Sequence, residues 1–296
     1  MIRIATLICL LHAYTSYGQL EALIKEQQKF ISEFSGAIEW EGVSLNARSS
    51  PEERETARIY LESQILSIGL KPQRQSYRMP NLNQFIDILF APFKGANVYM
   101  IIPATNESNE YLVLGAHFDS EVDCPGAIDN ASGSALIYSV GKMLNSLDER
   151  NMNVIIVFFD QEEEELIGSQ AFAKYLKSEE LNIHSVHTFD MVGWDEDGNG
   201  EMELELPTPE LEKTYFEVAS RLEIPLYVTN INSTDHHSFR QAGFQAIGIN
   251  EAYGKRDTSP YKDTPDDTYE TVNFDYLAAS TLYVYEVIKE IVNGSD

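Results

Sequence analysis

A chain of 296 residues with 43% hydrophobic and 23% charged side chains has ordinary globular composition, which sets aside the disordered, fibrous and disulfide-scaffold classes. Its formal net charge of -26 argues against nucleic acid and anionic lipid as partners and draws cations towards any cleft that focuses the field. Most of these carboxylates are read as a solubilising surface.

Residues 1–18 open with one basic residue, Arg3, continue through an apolar run from Ile4 to Leu11, and close on Ser16-Tyr17-Gly18, small at both cleavage-relevant positions. They are expected to form a secretory signal peptide, which makes the chain secreted or periplasmic; the alternative is a buried first strand or helix. Removal of that segment takes Cys9 with it. Cys124 is then left without an internal partner, so the fold owes nothing to disulfides. No later segment approaches the ~20 apolar residues of a spanning helix, so no membrane association is expected.

In chain order, helical spacing covers residues 19–31. Ser50-Pro51-Glu52-Glu53 then supplies a cap, an N1 proline and first-turn acids for a helix to about Ile68, closed by Gly69 and Pro72. Apolar runs at 97–102, 111–115 and 153–159 predict buried strands. Further strands are predicted at 185–192, 201–206 and 246–250, and helices at 132–147, 166–176, 209–222 and 274–292. Alternation of this kind predicts one domain over 19–296, a three-layer α/β sandwich with a mostly parallel, mixed central sheet. Chemistry then gathers at the carboxyl ends of the strands.

The motifs fall there. The strand at 111–115 runs into Ala116-His117-Phe118-Asp119-Ser120, an imidazole and a carboxylate two residues apart; Asp119 either fixes the ring of a metal-binding His117 or is a solvated neighbour. Asp129-Asn130, ahead of a helix, is either capping chemistry or a carboxylate bridging two metals. Glu162-Glu163-Glu164-Glu165 follows an apolar strand; such a run is usually a solvated face, but this one stands where a site is expected. Asp190 lies between apolar neighbours, where an unpaired carboxylate is costly unless a cation meets it. Asp235-His236 and Asp263-Thr264-Pro265-Asp266-Asp267-Thr268 complete the order. Six such motifs at strand ends or turns outweigh coincidence.

In that order the sequence resembles the co-catalytic zinc aminopeptidase family, which also includes glutamate carboxypeptidases and glutaminyl cyclases. The resemblance spans residues 19–296 and is strongest at Gly115-Ala116-His117-Phe118-Asp119-Ser120, over 126–133 and over 162–169. It implies a zinc-peptidase (phosphorylase/hydrolase-like) fold, peptide substrates and two zinc ions. It further implies that His117 and Asp190 hold one ion, Glu163 holds the other, Asp129 bridges them, Glu162 is the general base and Asp119 orients His117. The departure is Asp263, which stands where the family has a histidine ligand. Carboxylate binds zinc at ~2.0–2.2 Å but from a shorter side chain, so the second site is expected to hold zinc, to hold a harder divalent metal, or to be empty. Lys262 beside it restores positive charge, stabilises the oxyanion if its ammonium points inward, or points into solvent.

Secreted aminopeptidase action is therefore the expected function. The alternatives are a catalytically weakened or non-catalytic member of the fold and, further off, a glutaminyl cyclase. Asp195-Glu196-Asp197-Gly198-Asn199-Gly200 matches the first half of a calcium loop, but Leu206 takes the twelfth position where a bidentate Glu belongs, so it is read as an acidic turn.

Overall fold

Apolar runs bounded by turn residues build the centre of an eight-stranded sheet. The computed structural model of the chain describes residues 17–80 and 92–294. Its strands are β1 (Gln73–Met79), β2 (Phe93–Ile102), β3 (Glu110–His117), β4 (Asn153–Phe159), β5 (Asn182–Asp190), β6 (Met202–Glu205), β7 (Leu226–Thr229) and β8 (Ala246–Glu251), in the order β1-β2-β4-β3-β5-β8-β6-β7. The four middle strands, β4, β3, β5 and β8, run parallel. Strands β1, β2 and β6 pair antiparallel to their inward neighbours.

Continuous hydrophobicity in the middle strands follows from burial on both faces. Leu112, Leu114 and Ala116 of β3 and Val154, Ile156 and Phe158 of β4 face one layer; Val113, Ile155, Val157 and Phe159 face the other. The first layer holds helices α1 (Tyr17–Phe34), α2 (Pro51–Ser67), α3 (Gly133–Asn145), α5 (Pro209–Leu222) and α7 (Phe274–Asn293). The second holds α4 (Ile167–Ser178) and α6 (His236–Gln241), which present Phe172, Leu176 and Phe239. The expected sandwich is thus observed.

Helix α2 begins where its sequence said it should. Ser50 accepts from the Glu53 amide while Glu53 accepts from the Ser50 amide, a reciprocal capping box, and Ala57, Tyr60, Leu61 and Ile65 form its buried stripe. Elsewhere the sequence reading needs amendment. β1 reads Gln-Arg-Gln-Ser-Tyr-Arg-Met, almost without apolar residues, because an edge strand needs only one partner and little burial. β7, at the opposite edge, reads Leu-Tyr-Val-Thr and is only four residues long, too short to show a period. The segment around Asp235-His236, read as a turn, continues into the short helix α6. The helix expected over 132–147 is preceded by a wide turn, Ala127–Ser132, and ends at Asn145. The expected leader lies outside the described residues except for Tyr17 and Gly18, which open α1. Among the described residues no helix is long and apolar enough to cross a membrane.

This topology fixes where a ligand can bind. From β3 the chain passes through α3 in the first layer to β4; from β4 it passes through α4 in the second layer to β5. Because β4 and β5 flank β3 on opposite sides, the two connections diverge beyond its carboxyl end and leave a crevice there. His117 is the last residue of β3.

Candidate metal centre

Each predicted site residue is delivered by a different element to that crevice. His117 ends β3 and Asp190 ends β5, both buried. Asp129 lies in the wide turn before α3, Glu162 and Glu163 follow β4, and Asp263 lies on the loop after β8. Three groupings of these residues bring one ligand atom per residue within 4.8 Å of one another: His117, Asp129 and Asp190; His117, Glu162 and Glu163; and Asp129, Glu163 and Asp263. His117 Nε2 lies 3.1 Å from Asp129 Oδ1, 3.4 Å from Asp190 Oδ1 and 4.0 Å from Glu162 Oε2.

Local hydrogen bonding explains why the carboxylates stay so close. The Asp119 carboxylate accepts from the amides of Glu162 (3.0 Å) and Glu163 (3.2 Å), fixing the turn that carries both glutamates. It lies 3.6 Å from His117 Nδ1, which is closer to the Asp119 carbonyl at 3.3 Å. Asn130 sews the Asp129 turn to the end of β5: its Nδ2 donates to the Phe189 carbonyl, and its Oδ1 accepts from the amides of Gly133 and Met191. Asp267 accepts from the amides of Ile128 and Asp129, both at 2.9 Å, and so holds the same turn from its other side. Gly168, at the start of α4, lets the helix pack on β4; a Cβ there would collide with the Asp160 carbonyl.

The electrostatics are those of a site short of positive charge. Burial disfavours charge on the His117 ring, yet the surrounding carboxylates, Glu162 foremost, outweigh it and hold its pKa well above the ordinary value. Burial first, and the charges of Asp190, Asp235 and Glu163 after it, push Glu162 well up. Glu163 is raised to about 9, by burial and then by Asp129. Asp129 goes the other way: burial opposes its charge, but His117 and Lys262 prevail and hold it at about 2. Both Asp129 oxygens are buried without a conventional hydrogen bond. A buried carboxylate left so is costly, and a divalent cation would relieve it. One imidazole with carboxylates also matches what zinc accepts. The residues present therefore fit a metal.

Residues 97–288 match the sequence profile of peptidase family M28. The chain belongs to that family. Aminopeptidase YwaD of Bacillus subtilis (strain 168) is 28% identical over 204 residues, 64% of this M28 chain and 43% of that protein. A probable leucine aminopeptidase of Trichophyton verrucosum is 30% identical over 203 residues, 62% of this chain and 54% of that one. The chain thus spans about half the length of the curated relatives it matches. The fold is shared with a zinc aminopeptidase from Bacillus subtilis, at TM-score 0.80 and 15% identity over 92% of this chain and 95% of that one. It is shared too with the Porphyromonas gingivalis glutaminyl cyclase, at TM-score 0.74 and 17% identity over 91% and 98%. The resemblance read from the motifs and the fold it implied are both borne out.

The M28 site also contains residues to which the sequence reading gave no role. Asp267 was visible only as the last acid of its motif. Asp235 is buried beside Glu162 and Asp190, with Oδ1 lacking a hydrogen bond, and burial first raises its pKa to about 7. Arg48 is wholly buried and donates to the carbonyls of Phe34, Phe118, Pro125 and Gly126, fastening the loop ahead of Asp129. Nothing in the sequence marks an isolated arginine as such an anchor. Glu251, at the end of β8, accepts from the amides of Gly193, Trp194 and Ser259 and from Thr258 Oγ1, joining the Asp190 loop to the chain leading to Asp263.

Proposed function

We propose that this M28 chain is a secreted, metal-dependent aminopeptidase that removes N-terminal residues from peptides. The observation that carries this reading is the pair of three-ligand sets sharing Asp129, with Glu162 alongside them. The aminopeptidase names of the relatives support it further. Export is supported by the basic-then-apolar composition of residues 1–18.

His117, Asp129 and Asp190 would hold a zinc ion, with Asp129, Glu163 and Asp263 offering a second, all-carboxylate set. When bound, zinc supplies Lewis-acid polarisation of the scissile carbonyl and lowers the pKa of water. Glu162, on the turn pinned by Asp119, accepts the proton of the attacking water and passes it to the leaving amine. Asp119 acts by keeping the Glu162 and Glu163 amides fixed, and Asp267 and Asn130 act by keeping Asp129 aimed at His117. The test is hydrolysis of a panel of aminoacyl chromogenic substrates after chelation and readdition of zinc, manganese or magnesium. Activity should vanish on chelation and return with metal; inactivity with every metal would sink the reading.

A further inference from the structure

The two ligand sets differ in one respect. The Asp129–Glu163–Asp263 set already has a cation against it: Lys262 Nζ lies 3.4 Å from Asp129 Oδ2, while Asp129 Oδ1 is turned towards His117. The shared carboxylate is thus divided, one oxygen to the imidazole set and one to the ammonium. The Lys262 side chain is 38% exposed and Asp129 is 2% exposed, so the ammonium reaches inward to a buried oxygen rather than resting on the surface. Its backbone neighbour Asp263 carries the short carboxylate of the same set, on an exposed residue at φ +61°.

A divalent ion bonded to Asp129 Oδ2 would lie within a few ångström of that ammonium, with like charges opposed in a partly dry crevice. The two cations compete for one oxygen. We propose that the Lys262 ammonium serves as the built-in second cation of this centre, so that the protein holds one zinc tightly in the His117–Asp129–Asp190 set. A second zinc enters the Asp129–Glu163–Asp263 set only by displacing Lys262. This rests on the metal-site reading above and concerns how many ions that site holds.

Equilibrium dialysis of the chelator-stripped full chain against graded zinc, with elemental analysis of the retained metal, reads the count without reference to activity. The wild-type chain should retain one tight zinc, and Lys262→Met should retain two, its second zinc binding about 100-fold tighter or more than in the wild type. Lys262→Arg keeps the charge and should stay at one, and matching circular dichroism of the three proteins guards against misfolding. Two equally tight zincs in the wild-type chain, or an unchanged second step in Lys262→Met, would overturn the inference while leaving metal-dependent peptidase action standing. Absence of tight zinc from both proteins would overturn the two together.

Discussion

Replacing Glu162 with glutamine removes the proton acceptor but keeps the volume and the amide that Asp119 holds. Glu162→Gln should lower kcat by about 10²–10⁴-fold and leave bound zinc unchanged, measured by steady-state rates beside metal analysis. Full activity would mean another residue is the base. Asp119→Ala acts differently, because its carboxylate supports the site by holding the Glu162 and Glu163 amides and by facing His117 Nδ1 at 3.6 Å. It should weaken zinc binding or activity by about 10–100-fold, as loss of a supporting partner around a metal site does, and lower the melting temperature as well, because the Glu162 and Glu163 amides lose their acceptor. At this scale the sequence was informative. His117, Asp129, Glu162, Glu163, Asp190 and Asp263 meet in one crevice, as their positions at strand ends and turns implied. The supporting residues were not legible, because Asp235 and Asp267 sit in polar stretches that read as turns, and Arg48 takes its meaning from contacts some 70 residues away.

The wide turn before α3 and the start of α4 depend on close packing more than on hydrophobic pattern. Asn130→Ala would leave the Phe189 carbonyl and the Met191 amide without their side-chain partner in a dry setting, while the Gly133 amide keeps the Asn130 carbonyl. At about 1–3 kcal/mol for each group stranded, a loss of several kcal/mol is expected, read as a lower denaturant midpoint at constant slope. A midpoint shift near zero would show that Asn130 is dispensable to the turn. The strands most legible in the sequence, β3 and β4, are those buried on both faces, since burial forces an unbroken apolar run. β1 escaped because an edge strand can be polar and still pair, and β7 because four residues are too few to show a period.

At the scale of the whole molecule, acid stability carries a signature of the core. His187 on β5 is fully buried between Ser185 Oγ and the Tyr215 hydroxyl, and burial lowers its pKa from 6.5 to about 3. Between those values the unfolded chain holds a proton that the folded chain does not. Stability from this group is therefore whole above pH 6.5 and falls, as pH drops towards 3, by about 1.4 kcal/mol per pH unit. His187→Gln should flatten that part of the profile in denaturant titrations between pH 4 and about 7. An unchanged slope would assign the acid sensitivity to other groups. The buried guanidinium of Arg48 has a consequence for the chain's modularity. The family match begins at residue 97, and every candidate ligand lies beyond that point. Yet the strap that seats the Asp129 loop comes from residue 48 and ties it to the end of α1. A fragment cut to the matched region would carry the complete inventory of ligands without the means to hold them in register.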